Sequence, residues 1–144
     1  MQFRKLNRDG AENVYRTVLN VEGATITTGL PVSLVNTSTD GVSAVIANAA
    51  GDYPGFVGVA TQNIANNDYG RIQIGGFVAS VLLSHVGSSI TVNANDALFP
   101  SPSGFFSGAP TYANSGFKWL QASNLPASLV VSAASYASGL IKTV

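Results

Sequence analysis

Few residues in this sequence have the chemistry of a catalytic or metal site. His85 is the only histidine, cysteine is absent, and Asp and Glu together number 7. No serine lies in the GxSxG turn that presents a hydrolase nucleophile, and there is no phosphate-binding GxxxxGK. The stretches NND (66–68) and NAND (93–96) lack the ligand spacing of a calcium loop. We therefore expect no enzymatic activity, no metal and no cofactor, and we interpret His85 as a structural or interface residue.

Aromatic side chains leave one alternative open, a carbohydrate site. Exposed rings can act as stacking platforms because they combine a flat apolar surface with a polar tip. The candidate rings are Tyr53, Tyr69, Tyr112 and Trp119. Trp119 adjoins Leu120 in FKWLQ, a context that favours a core or subunit-interface residue. We favour packing, and two coplanar exposed rings in one groove would reverse this interpretation.

Charge is scarce and balanced along the chain. Only 10% of the residues are charged, against roughly 25% in ordinary soluble domains. A nucleic-acid binder needs a basic surface, which this composition does not supply. The longest apolar run, GGFVASVLL, is far shorter than the ~20 residues of a membrane helix, and MQFRKLNRDG lacks the apolar core of a signal peptide. We predict neither a nucleic-acid nor a membrane partner, and a surface suited to extensive protein contacts.

Short alternating segments separated by turn signals predict an all-β fold. The turn signals are TDG, GDYPG, NNDYG, NAND and PSPSG. The predicted strands lie in NVYRTVLNV, ATITTGLPVSLV, GVSAVIANA, GFVGVAT, RIQIGGFVASVLLS, SSITVNA and DALFPS, with two more in SLVVSAASYASGLIKTV. This spacing is typical of a small antiparallel β-barrel or sandwich. We predict one β domain over residues 14–144, with the Pro- and Gly-rich residues 99–116 as an ordered loop.

The segment GFVGVATQNIANNDYGRIQIGG (55–76) carries the clearest pattern. Alternation places Val57 and Val59 on one face of the first strand, and in the second it places Ile72 and Ile74 inside with Arg71 and Gln73 in water. Gly75 and Gly76 then interrupt the strand, which predicts a bulge or a sharp bend. One extra residue would bring the following apolar set to the same core face, namely Phe77, Ala79, Val81 and Leu83. Such a bent strand is how a sheet closes into a barrel.

Residues 1–13 form a separate, basic N-terminal arm in our interpretation. The arm mixes two apolar residues with three cations, namely Phe3, Leu6, Arg4, Lys5 and Arg8. From residue 23 to 117 the chain has four aspartates opposed by Arg71 alone. One interpretation is a solvated, frayed terminus. The other is an arm that docks on a partner protein, with Phe3 and Leu6 as apolar anchors and the cations facing acidic patches.

The 55–76 segment and its neighbours resemble the capsid decoration, or cement, proteins of tailed phages. Those proteins tend to show a GVA strand, a polar turn and a YG.VQ..G strand. The matching residues here are Gly58, Val59, Ala60, Tyr69, Gly70, Ile72, Gln73 and Gly76. GLPVSLV resembles the opening strand of that family, and NANDALFPSPSG resembles its GDALYPS..G element. The resemblance covers roughly residues 23–108 and leaves out both the arm and the C-terminal tail.

This resemblance implies a non-catalytic virion protein with a β-barrel or β-sandwich subunit. Members of the family usually form homotrimers at threefold and quasi-threefold positions on the outside of an icosahedral head, where they clamp the major capsid protein. We therefore expect the virion surface as the location, with the major capsid protein and other copies of the chain as partners. The alternative is a head-fibre or tail receptor-binding module that recognises host-surface glycans.

Overall fold

The protein is built from β-strands. The computed structural model describes residues 13–47, 55–84, 90–94, 96–101, 103–107, 119–123 and 129–142. Among these residues there is no α-helix, and none forms a helix long and apolar enough to cross a membrane. The all-β prediction is therefore confirmed. The predicted arm begins before the first described residue, Asn13, so its residues Phe3, Arg4, Lys5, Leu6 and Arg8 lie outside the described part of the chain.

Eleven strands follow one another in the described residues. They are β1 (Val14–Asn20), β2 (Pro31–Leu34), β3 (Ser43–Ile46), β4 (Phe56–Ala60), β5 (Tyr69–Leu83), β6 (Ile90–Val92), β7 (Ala97–Ser101), β8 (Gly104–Ser107), β9 (Trp119–Ser123), β10 (Leu129–Val131) and β11 (Ser135–Lys142). The alternation in the sequence located most of these strands. The Ala- and Ser-rich end of the chain forms two strands, as predicted.

The first five strands close into a barrel. They pair in the order β1-β3-β2-β4-β5, and β5 returns to β1 with antiparallel register from Leu19↔Tyr69 to Val14↔Gly75. A closed barrel leaves no open sheet edge. Most pairings are antiparallel, as predicted, but β1 and β3 pair in parallel at Leu19↔Ser43. The barrel prediction is confirmed, with this short parallel pair as an addition.

The second half of β5 organises the remaining large group of strands. It pairs with β11, which continues the sheet through β9 and β7 to β8. Strand β8 then meets β5 again through the parallel pair Leu83↔Phe105. One 15-residue strand therefore belongs to both strand groups. Strands β6 and β10 pair with each other in a separate two-stranded sheet.

Two apolar clusters fill these groups. The barrel cluster is Val18, Ile26, Leu30, Val32, Ala44, Ala60, Ile64 and Ile72. The second cluster is Phe56, Val59, Val78, Val81, Leu83, Val92, Leu98, Phe105, Val131, Ala137 and Ile141. Phe56 of β4 meets Phe105 of β8 edge to face, with ring centroids 5.8 Å apart, an arrangement that adds to area burial. One side of β4 thus packs on the second strand group.

The bend in β5 exists, but its effect on the side chains differs from the prediction. Val14 faces Gly75 and Tyr15 faces Gln73, so Ile74 is the extra residue of a bulge beside the double glycine. Gly76 has a φ of 87°, which favours glycine. The prediction that Phe77 and Ala79 face the core was wrong, because both are exposed while Val78 is buried.

A second irregularity explains this error. Val78 pairs with Gly139 and Val81 pairs with Ala137, so β5 holds one residue more than β11 between these pairs. The extra residue restores Val81 and Leu83 to the core, as predicted. In β4, a bulge at Val57 likewise puts Phe56 and Val59 together in the second cluster, with Val57 only half-buried.

The segment predicted as an ordered loop contains strand structure. Residues Phe99–Ser101 end β7, and Gly104–Ser107 form β8, so the two strands make a hairpin that pairs Ser101 with Gly104. Pro100 and Gly104 made this hairpin look like a loop in the sequence, since both residues are depleted in strands. Residues 108–118 lie outside the described ranges.

Candidate functional site

The described carboxylates accept hydrogen bonds from backbone amides. Ile46 N donates to Glu22 Oε2 and Tyr69 N to Asp68 Oδ1, each at 2.8 Å. Asn93 N donates to Asp96 Oδ2, also at 2.8 Å. Asp40 accepts from Val42 N and Ser43 N, each at 2.9 Å, and from Ser43 Oγ at 2.6 Å. Each acid in the described residues therefore caps backbone amides.

The hydrogen bonds to Asp40 lower the pKa of its carboxyl. The hydrogen bonds from the Ser43 side chain and backbone, joined by those of Ser38 and Val42, hold the pKa of Asp40 well below its usual range. Such bonds favour the charged form of the carboxyl. No three acids or histidines of the described part converge on a point where a metal ion could be held. His85, Tyr53 and Tyr112 lie outside that part.

Gln73 is the polar side chain that the sequence placed wrongly. It was predicted to lie in water, yet it is 4% exposed. Its Nε2 donates to the carbonyl oxygens of Gly75 at 3.1 Å and Phe77 at 2.7 Å, and to Asn13 Oδ1 at 3.1 Å. These carbonyls follow the bulge at Ile74, so Gln73 ties the bend of β5 to the start of β1. The bend therefore buries most of the side chain.

An open cleft of about 200 Å³ lies where Gln73 meets the two strand groups. Its lining comes from β1, the end of β4, both halves of β5 and the loop before β2. The lining residues are Tyr15, Thr28, Ala60, Thr61, Gln73, Val78, Ala79 and Ser80. None of these residues carries a formal charge. Alternation alone identified neither Tyr15 nor Gln73 as a site residue, because the cleft exists only where the bulged strand bends.

The outer face of the β1–β5 pair is rich in exposed rings. We call it the outer wall and define it as Tyr15, Thr17 and Leu19 of β1 with Tyr69 and Arg71 of β5. Tyr15 is 42% exposed and Tyr69 61%. The Arg71 guanidinium carbon lies 4.5 Å from the centroid of the Tyr15 ring, a cation–π contact. Of the four rings considered for sugar stacking, Tyr69 is the one whose side chain is described.

Some of the residues that carry the resemblance meet at the β4–β5 junction, whereas Gly70 faces β1 and Gly76 faces β11. Ala60 pairs with Ile72 and Val59 with Gln73. A Cβ on Gly58 would overlap the carbonyl oxygen of Gln73, and a Cβ on Gly70 would overlap the Ile64 side chain. Gly58 is therefore required for the close approach of β4 to β5, and Gly70 for the packing of Ile64 against β5. Trp119 opens β9, opposite Lys142.

No protein-family model matches the chain, and the curated proteins contain no significant match to it. The resemblance to capsid decoration proteins therefore depends on the motif residues of the sequence alone.

Proposed function

We propose that this protein is a capsid decoration protein that binds the outside of an icosahedral phage head as a homotrimer and stabilises it. The observation that carries the proposal is the structural use of the motif. Gly58 meets a steric need where β4 approaches β5, and Gln73 meets a hydrogen-bonding need at the bend of β5. Gly70 leaves room for Ile64, and Gly76 adopts the positive φ of the bend. A pattern devoted to shape, with no reactive group in it, suits a protein whose role is to fit against others.

The described surface supports contacts with proteins. Its acids accept hydrogen bonds from backbone amides, and the outer wall presents the exposed Tyr15 and Tyr69 together with Leu19 of β1. Interfaces are enriched in tyrosine and arginine and depleted of other charge at their centre. A wall with one cation, already placed on an aromatic ring, loses little solvation when another protein covers it. We infer the major capsid protein and neighbouring copies as the proteins that cover it.

Copy number tests this proposal directly. We expect quantitative mass spectrometry of the purified virion that carries this gene to find the chain near parity with the major capsid protein. About a dozen copies or fewer would favour a fibre or vertex position instead. That outcome would support the alternative, a receptor-binding module. Absence from the particle would reject a structural role of either kind.

The arm is the second element of the proposal. We expect a variant lacking residues 1–12 to unfold at the same temperature as the full chain and to bind undecorated heads more weakly. The deletion retains Asn13, because Asn13 Oδ1 accepts a hydrogen bond from Gln73. Phe3 and Leu6 would be lost as anchors, and Arg4, Lys5 and Arg8 as cations.

Two further variants separate the contribution of the cations from that of the apolar anchors. Each is titrated against undecorated heads beside the truncated chain. Replacing Arg4, Lys5 and Arg8 by glutamine removes charge and keeps the anchors, whereas replacing Phe3 and Leu6 by serine does the reverse. If the truncated protein saturates heads at the same concentration as the full chain, the arm has no part in docking.

A further inference from the structure

Gln73, one of the residues that line the cleft beside Tyr15, has a side-chain oxygen to which none of the described residues donates. Gln73 lines the cleft, and its Nε2 is committed to Asn13, Gly75 and Phe77. All three of these partners are oxygen acceptors, so the side-chain atom that faces them must be the amide nitrogen. The other polar atom of the side chain is Oε1. Oε1 has no donor among the described residues. A buried acceptor of this kind needs a partner from water or a ligand.

The hydroxyl groups of the cleft add to this acceptor character. Thr61 Oγ1 donates to the Arg71 carbonyl oxygen at 2.9 Å, and Thr28 Oγ1 donates to Asn63 Oδ1 at 3.3 Å. Each threonine hydroxyl has thus used its hydrogen and offers lone pairs. The Ser80 hydroxyl has no partner within the described ranges, so it can donate or accept. The cleft as a whole therefore favours a ligand rich in hydrogen-bond donors.

Charge narrows the choice of ligand. An anion would meet mainly acceptor atoms, which oppose it. A cation would lie near the Arg71 guanidinium, which rests on the Tyr15 ring at 4.5 Å and repels like charge. A neutral ligand with several donors is the remaining class. The walls supply apolar contact through the Tyr15 ring, Ala60 and Val78, so the ligand also needs an apolar face.

We propose that this cleft binds one neutral pyranose ring of a carbohydrate. A pyranose carries several hydroxyl donors around its edge and a C–H face that can lie on the tyrosine. The volume of about 200 Å³ is below that of a typical drug-sized pocket, which limits the site to one ring. The inference goes beyond the proposed capsid role and does not depend on it.

Titration of the ¹⁵N-labelled full chain tests the site. The probes are methyl α-D-glucopyranoside, methyl β-D-galactopyranoside and methyl N-acetyl-β-D-glucosaminide, each to about 50 mM because a single small ring binds in the millimolar range. N-acetylasparagine amide serves as the peptide-like probe. We expect at least one pyranoside to give saturable shifts in the amides of residues 15, 28, 61 and 78–80. The asparagine amide should give none.

Matched variants connect the shifts to the cleft. Tyr15→Ala should weaken binding at least about tenfold, whereas Tyr69→Ala, on the same outer wall but outside the cleft, should leave it unchanged. Ala79→Glu, at an exposed position of the lining, tests the cleft if Tyr15→Ala unfolds. The proposal is overturned if no pyranoside saturates, if the shifts map elsewhere, or if Tyr69→Ala and Tyr15→Ala weaken binding equally. Binding of the asparagine amide alone would instead assign the cleft to a peptide.

Discussion

Replacing Gly58 by alanine is expected to lower the free energy of unfolding by more than about 3 kcal/mol. The new Cβ would overlap the Gln73 carbonyl oxygen and lie 2.9 Å from its carbonyl carbon and 3.2 Å from Ile74 Cα. These are backbone atoms of the neighbouring strand, so no side chain can rotate to make room. Strands β4 and β5 would have to separate, which breaks the pair Val59↔Gln73.

Gly75→Ala is the matched control for this variant. A Cβ at Gly75 would meet only the Val14 side chain, at 3.6 Å, an ordinary contact. Its stability should stay within about 1 kcal/mol of the parent chain. Urea unfolding followed by circular dichroism compares the two. Equal midpoints for the two variants would show that the β4–β5 approach does not require glycine, whereas a Gly58→Ala chain that fails to fold beside a folded Gly75→Ala chain agrees with the prediction.

Asn20→Asp is expected to destabilise the barrel by about 4 kcal/mol at neutral pH. Asn20 is fully buried, and its Nδ2 donates to the carbonyl oxygens of Ala24 at 2.7 Å and Ile64 at 2.8 Å. Its Oδ1 accepts from Glu22 N at 2.8 Å. The substitution keeps the shape but replaces two donated hydrogen bonds with a buried carboxylate facing two carbonyl oxygens.

The penalty should also depend on pH. Burial and the two carbonyls would raise the pKa of the new carboxyl in the folded state above its value in the unfolded chain. The folded state then binds the proton more tightly, so the difference from the parent chain should shrink as pH falls from about 7 to about 4.5. Urea unfolding at several pH values measures this difference.

Asn66→Asp makes the same chemical change at an exposed site. Asn66 Oδ1 accepts from Gly23 N at 2.9 Å, and aspartate can accept that bond too. This control should be close to the parent chain in stability across the same pH range. A penalty for Asn20→Asp that matches the control, or that does not change with pH, would contradict the role assigned to Asn20.

Gly58 and Asn20 lie in different parts of the barrel, and both contribute to its closure. Gly58 lets β4 approach β5, and Asn20 holds the loop after β1 against residue 64, beside the turn before β5. Both act on the closure of the barrel, and the cleft and the outer wall depend on that closure. Stability measurements on these variants are therefore also tests of whether the proposed binding surfaces can form.

The sequence by itself determined most of the strand segments and the scarcity of residue types used in catalysis. Alternation in VYRTVLN and the apolar positions Ile72, Val81 and Leu83 predicted strands and core residues correctly. Period-2 alternation is a local property of an extended strand, so it can be read from the sequence wherever no bulge interrupts the strand. The double glycine likewise marked the bend in β5, because a positive φ at Gly76 is a local requirement.

Only the tertiary structure decided which side chains meet. Gln73 is buried although it was expected in water, and Phe77 is exposed although it was expected in the core. Both differences arise because the bulges in β5 are defined against β1 and β11, which lie far away in the sequence. The closure of β5 on β1 and the sharing of β5 between two apolar clusters are also non-local pairings. The cleft depends on the bulges in β5 and on these non-local pairings. Its lining comes from four separate segments that only the bent strand brings together.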